Sequence, residues 1–164
     1  MMKENYVANR ERNKMMNPLI TILLLLLSLF SENANQKVYV NDGSSMAPTI
    51  NDGDKLIVSL DKSKGIDRDE LIIFEAEDRS FCKRVIGIEG DIIKITQTGV
   101  IVNDKNAYGT EVGDKQVTLE LTLKQDELFV LGDNIENSKD SRVYGPIKEN
   151  QVVGIVTRIK HIQR

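Results

Sequence analysis

Residues 70–96 read ELIIFEAEDRSFCKRVIGIEGDIIKIT, and this stretch sets the fold class. It holds three apolar runs, Glu70–Glu75, Cys82–Ile88 and Ile92–Thr96, separated by charged or Gly-containing segments. Each run is of strand length and rich in β-branched residues, which pack well on a pleated surface. The pattern continues outward with Lys37–Val40, Lys55–Leu60, Val100–Val102, Val117–Leu123, Glu127–Leu131 and Val152–Ile159. Asp-Gly and Gly-Asp pairs punctuate the runs at 42–43, 52–54, 90–91 and 132–133. Many short strands with Gly and Asp turns predict an all-β barrel or sandwich. Beyond residue 32 there is no long helical period and no internal repeat. The polar stretch Asn103–Lys115 reads as a loop inside a small insertion.

The N-terminal part is different. Residues 1–14 hold four basic residues against two acidic ones, a net of +2, and residues 15–31 (MMNPLITILLLLLSLFS) carry no charge. The whole chain is -3, which leaves -5 for residues 32–164. Basic before and acidic after the apolar segment predicts a cytoplasmic N-terminus. Seventeen residues span ~25 Å as a helix, near the short end for crossing a bilayer. Pro18 is tolerable in a first turn, where its missing N–H has no partner to lose. A cleaved leader competes with a retained anchor. However, cleavage after Ala34 would put Glu32 at the third-last position, which wants a small residue. A buried core helix is discounted because the Leu23–Leu27 run leaves no polar face.

The 164 residues suit one domain plus an appendage, or one domain with a small insertion. A net charge of -3 argues against a nucleic-acid partner, because phosphate binding needs a basic surface. The single cysteine, Cys82, excludes an intrachain disulfide, and it cannot build a zinc site with the lone His161. No metal or cofactor is expected. Cys82 reads as a small buried apolar residue.

With its one histidine three residues from the chain end, the sequence is a poor source of a Ser-His-Asp triad. A serine nucleophile then needs another base, and lysine serves if burial or a nearby cation keeps it neutral. On a strand, Lys83 shares its face with Phe81 and Val85, which makes it a candidate for desolvation. A surface lysine whose stem covers apolar neighbours fits the same pattern and is commoner. Ser45 lies in the stretch 42–50 (DGSSMAPTI), where Gly43 permits an unusual turn and Pro48 fixes the backbone beyond it. Such a turn can present a hydroxyl and its own N–H, but Gly, Ser and Pro also mark ordinary turns. Ser59 and Lys62 have S-x-x-K spacing, yet they follow a strand-like run and no K-T-G triplet occurs, so the match is chance. Residues 132–142 (GDNIENSKDSR) are a third polar cluster. A calcium loop is disfavoured by Ile135 at a ligand position and by the missing central Gly. A polar turn, or a shell supporting a buried lysine, remains.

Taken together and in order, these segments resemble a known family. Ser45-Met46-Ala47-Pro48-Thr49 resembles the nucleophile box of bacterial type I signal peptidases. Lys83-Arg84-Val85-Ile86-Gly87 with Gly90-Asp91 resembles their base box. Gly132-Asp133-Asn134, Asn137-Ser138, Asp140-Ser141-Arg142 and Gly145 resemble their last box. The likeness spans roughly residues 15–155. It implies Ser45 as acylated nucleophile and Lys83 as base, with Ser138 orienting the Lys83 amine. It also implies an Asp140–Arg142 ion pair and an Arg84–Asp133 pair. The Ser45 N–H would be one oxyanion donor. Gly43 stands where Gram-negative members have a second hydroxyl donor, as in the Gram-positive branch. Asn41 replaces an aliphatic residue of the substrate cleft, unless Val40 fills that place. Met46, Phe81 and Cys82 are counted with the same cleft.

The implied fold is mainly β: the signal peptidase antiparallel β-barrel with a small β insertion near 92–125, preceded by one transmembrane helix. The implied layout is a cytoplasmic segment 1–14, an anchor 15–31 and an extracytoplasmic catalytic domain 32–164. The implied substrates are secretory preproteins with small residues at the last and third-last positions, bound as an added strand. The lipid bilayer is the other expected partner, nucleic acid is not one, and the chain is expected to be monomeric. The competing readings are another Ser/Lys maturation peptidase and an inactive, membrane-tethered signal-peptide-binding homologue.

Overall fold

The computed structural model describes residues 17–23, 26, 35–97, 99–107 and 116–162. The chain divides into two units, residues 1–35 and 36–164.

In the first unit, residues 18–23 and 26 are helical. Asn17 starts the helix: its Oδ1 accepts from Leu19 N at 3.0 Å, and its carbonyl accepts from Ile20 N and Thr21 N. This leaves Pro18 in the first turn, where its missing N–H costs nothing. Leu19, Ile20, Ile22, Leu23 and Leu26 are all exposed. No helix among the described residues is long and apolar enough to cross a membrane. The segment 1–14 expected in the cytoplasm, and residues 15–16, 24–25 and 27–31 of the expected anchor, lie outside the described residues.

The second unit is built of antiparallel strands: β1 (Gln36–Val40), β2 (Lys55–Ser59), β3 (Leu71–Ala76), β4 (Arg79–Gly87), β5 (Ile92–Thr96), β6 (Val100–Val102), β7 (Lys105–Asn106), β8 (Val117–Thr122), β9 (Glu127–Leu131), β10 (Ile147–Lys148) and β11 (Val152–Lys160). One sheet has the order β1-β2-β11-β3-β4-β9-β10, the other β7-β6-β5-β8. Each apolar run named from the sequence forms a strand. The expectation of a loop over the whole of Asn103–Lys115 needs correcting. Asn103 and Asp104 both take positive φ (48° and 65°), the geometry of a tight hairpin turn, so Lys105 and Asn106 pair back on Val102 and Ile101. Residues 108–115 lie outside the described residues.

Strand β4 is the axis of the fold. Glu77 and Asp78, at φ 49° and 59°, turn β3 back onto it, which fixes the register Phe74↔Phe81, Ile73↔Cys82 and Ile72↔Lys83. Three apolar clusters meet on β4. Val85 packs with Ile72, Phe74, Leu128 and Val130, and Cys82 with Met46, Ile50, Leu56 and Ile73. Ile86 joins Ile93, Leu123 and Phe129, which ties the smaller sheet to β4 and β9. Each fully buried side chain of this size contributes about 1.5–3 kcal/mol from removal of apolar surface. A strand covered on both faces leaves little water for any charged group along it, and Lys83 lies in its middle.

Candidate active site

Ser45 is carried by the loop between β1 and β2. The neck of that loop is closed by Asn41 N donating to Asp54 O at 2.8 Å, Gly53 N to Asn41 O at 2.8 Å, and Gly43 N to the Asp52 carboxylate at 3.0 Å. Gly43 sits at φ +95°, which a Cβ would strain. Within the loop, Ala47 N donates to Ser44 O and Ile50 N to Met46 O, so the segment is a wound turn rather than a strand. Met46 and Ile50 point inward as the turn's apolar anchors.

Lys83 Nζ lies 2.8 Å from Ser45 Oγ and donates to the Cys82 carbonyl at 2.9 Å. The residue is 3% exposed. Burial lowers its pKa, opposed by Cys82, Asp140 and Asp133. A buried amine that holds its proton weakly, within hydrogen-bond reach of a hydroxyl, can act as a general base.

Two ion pairs stand behind this pair. Arg84 Nε and Nη2 grip both Asp133 oxygens at 2.8 and 2.7 Å, and Nη1 donates to Asp69 O. Arg142 Nε and Nη2 grip both oxygens of Asp140 at 2.8 and 2.9 Å. Asp140 is wholly buried. It also accepts from Gly132 N at 3.0 Å and caps the short helix Ser141–Tyr144 through Arg142 N. Paired, doubly hydrogen-bonded carboxylates of this kind fix geometry more than they add stability.

The structure corrects two expectations. Ser138 Oγ is buried without a hydrogen-bond partner, so the expected bond to the Lys83 amine is not made; the side chain lies against Gly132 instead. Met46 is fully buried under Cys82 and lies in the core, not the cleft. At Gly43, which brings no hydroxyl, the backbone N–H is bonded to Asp52. The Ser45 N–H has no protein acceptor among the described residues and is free for that role. Elsewhere, Ser59 Oγ accepts from Asp61 N while Lys62 Nζ donates to Val152 O, which makes no dyad. His161 Nδ1 lies 2.8 Å from Asp54.

Asn134, named from the sequence only as part of the Gly132-Asp133-Asn134 motif, has a definite partner in the structure. Its backbone N–H donates to Ser45 O and its Nδ2 to Ser44 O, both at 3.1 Å. The segment after β9 therefore holds the nucleophile turn from outside. The Gly-Asp-Asn cluster was visible in the sequence, but its target was not.

A groove of 140 Å³ opens beside the pair, lined by Ser45 and Lys83 together with Val40, Asn41, Phe81 and Cys82. Phe81 is half-buried and stacks on Phe74 at 5.6 Å. Among the described residues no group of three or more His, Cys, Asp or Glu is arranged to hold a metal ion. The Cys82 thiol is pushed up to about 12 by burial. At pH 8, labelling of native protein by a disulfide reagent is therefore expected to run about a thousandfold slower than labelling of unfolded chain. Equal rates would show the thiol to be open to solvent.

The family described as signal peptidase, peptidase S26 matches residues 13–160. Signal peptidase I U of Bacillus subtilis (strain 168) is 35% identical over 134 residues, covering 72% of this chain and 72% of its own. Signal peptidase I V of the same strain is 32% identical over 155 residues, covering 83% and 92%. A solved structure of a signal peptidase I from Enterococcus faecalis V583 is 23% identical with a TM-score of 0.46, covering 57% of this chain and 97% of that one.

Proposed function

This chain belongs to the signal peptidase S26 family, and we propose that it removes N-terminal signal peptides from secretory preproteins as a serine endopeptidase, with Ser45 as nucleophile and Lys83 as general base. The observation that carries the residue assignment is the 2.8 Å approach of Ser45 Oγ to the nearly inaccessible Lys83 amine.

With Lys83 neutral, the Ser45 O–H gives its proton to Nζ as Oγ attacks the scissile carbonyl carbon. The Ser45 N–H stabilises the oxyanion. The carbon–nitrogen bond breaks, the Lys83 ammonium protonates the leaving amine, and the signal peptide remains as an ester on Ser45. A water then gives a proton to Lys83 and attacks the ester. The ester bond to Oγ breaks, and the proton returns to Ser45. Asp140, Arg142, Asp133 and Arg84 touch neither substrate nor proton; they fix the segment that holds Ser45 and Lys83 together.

β1 is the end strand of its sheet, and Val38 and Val40 are exposed along it. A precursor lying as an added strand at that edge would meet the groove with alternate side chains. The proposed layout is the signal peptidase β-barrel over 32–164 with its small insertion near 92–125, anchored through 15–31 with residues 1–14 in the cytoplasm. In this layout the enzyme is a monomer whose other partner is the bilayer.

The test is cleavage of a labelled precursor in liposomes by wild type and Ser45→Ala. The variant is expected to lose all but about one part in ten thousand of the rate while still binding precursor. Full activity in Ser45→Ala would remove it as nucleophile. An inactive wild type that still binds precursor would make the chain a binding homologue.

A further inference from the structure

Asn41 is half-buried and lines the groove next to Ser45. Its Nδ2 donates to Gly43 O at 2.9 Å and to Asn51 O at 3.0 Å. Both partners are carbonyl oxygens, so the orientation of the amide is fixed: a flipped amide would set oxygen against oxygen. Both amide hydrogens are consumed in closing the neck of the nucleophile loop. The oxygen has no protein partner among the described residues. The backbone N–H and carbonyl of Asn41 are also spent, on Asp54 and Gly53. What Asn41 can still offer a ligand is one acceptor and no donor.

None of the hydroxyls that share the groove, those of Tyr39, Ser45 and Ser80, is bonded to that acceptor. Val40, paired with Lys55 in β1, lines the groove beside Asn41 and carries no polar side-chain group. The Cys82 thiol belongs to the core cluster with Met46 and Ile73.

We propose that the groove selects a hydroxyl-bearing small residue, serine first, at the one of the two selected substrate positions whose side chain docks beside Asn41. The inference rests on the reading above, in which the residues before the cut occupy this groove. An alanine methyl there would strip water from the Asn41 oxygen and return nothing. A serine O–H donates to it and leaves both groups satisfied. Sites built to pair a substrate hydroxyl discriminate strongly against its absence, whereas apolar pockets tolerate either.

The experiment compares kcat/KM for precursor peptides with Ala-Xaa-Ala, Ser-Xaa-Ala and Ala-Xaa-Ser before the cut, using wild type and Asn41→Leu. Wild type is expected to favour one of the serine peptides over Ala-Xaa-Ala about tenfold, and Asn41→Leu to bring that ratio to one or below. The ratio is taken within each enzyme, so a looser loop neck in the variant, which lowers all three rates together, does not disturb it. Equal wild-type rates for all three peptides would overturn the inference, as would a serine preference unchanged in Asn41→Leu. If wild type cuts none of them, the functional reading falls and the inference with it.

Discussion

Lys83→Met is expected to end precursor cleavage and, at neutral pH, to leave a more stable protein. The loss of rate follows from the geometry. Removing the amine 2.8 Å from Ser45 Oγ leaves the hydroxyl with no base, at a cost of at least about a thousandfold. The gain in stability follows from burial. Lys83 is almost inaccessible, and its pKa is lowered from 10.5 first of all by desolvation. The unfolded chain therefore binds this proton more readily than the folded one. Stability rises with pH between the folded and unfolded pKa values, and the penalty is gone above 10.5, where the lysine is neutral in both states. Methionine of similar length removes the penalty at every pH, so the variant's advantage is present at pH 7 and shrinks toward pH 10.5. The same titration sets the rate of the wild type. Cleavage should climb with pH as Lys83 loses its proton and level off below 10.5. Lys83→Arg should fail throughout, because guanidinium stays charged. Denaturation of wild type and Lys83→Met at pH 7 and 10, alongside single-turnover cleavage across that range, checks both halves. A flat rate profile with chemistry limiting would remove Lys83 as the base.

How much of this was legible depends on the length of the signal. Runs of five or more residues rich in apolar and β-branched side chains, such as Lys55–Ser59 and Ile92–Thr96, announce themselves as strands because tertiary structure needs only to cover one or both faces. β7 and β10, of two residues each, carry no period; their pairing is imposed by the turns that precede or follow them. The helix Ser141–Tyr144 is equally silent, since four residues hold no amphipathic pattern and its start is set by the Asp140 carboxylate. Side-chain direction inside the nucleophile turn was misread for a related reason. Met46 is counted with the cleft because it follows Ser45 directly, but the backbone is wound there and its side chain falls into the core. The clamp by Asn134 joins segments 90 residues apart, so no local pattern could reveal it. Ser138 shows the reverse failure. Its place in the order of boxes was plain, but the atom its hydroxyl would meet was fixed by Gly132, not by spacing.

Gly132 is consequently the position where the smallest change should do the most damage away from the reacting atoms. A Cβ there would lie 2.2 Å from Ser138 Oγ, 2.5 Å from Ser138 Cβ and 2.5 Å from Ser45 O. The backbone cannot retreat, because Gly132 N–H is bonded to the buried Asp140 carboxylate, itself gripped by Arg142. Ser45 O cannot easily retreat either, since Asn134 N holds it from the same side. Gly132→Ala should therefore cost about 1–3 kcal/mol of stability through overpacking. It should also lower kcat about a hundredfold by shifting Ser45 relative to Lys83, with KM changed far less, because a misplacement of order 1 Å is enough. The double variant Gly132→Ala, Ser138→Gly separates the two costs. It deletes the nearest contacts but leaves the methyl against Ser45 O. Stability should then recover most of its loss while kcat stays low. Recovery of both would mean that Ser138 alone transmits the strain and that the Ser45 carbonyl has room to move. Recovery of stability alone would show that the nucleophile is held in register through its own backbone, by a surface that tolerates only a hydrogen at position 132.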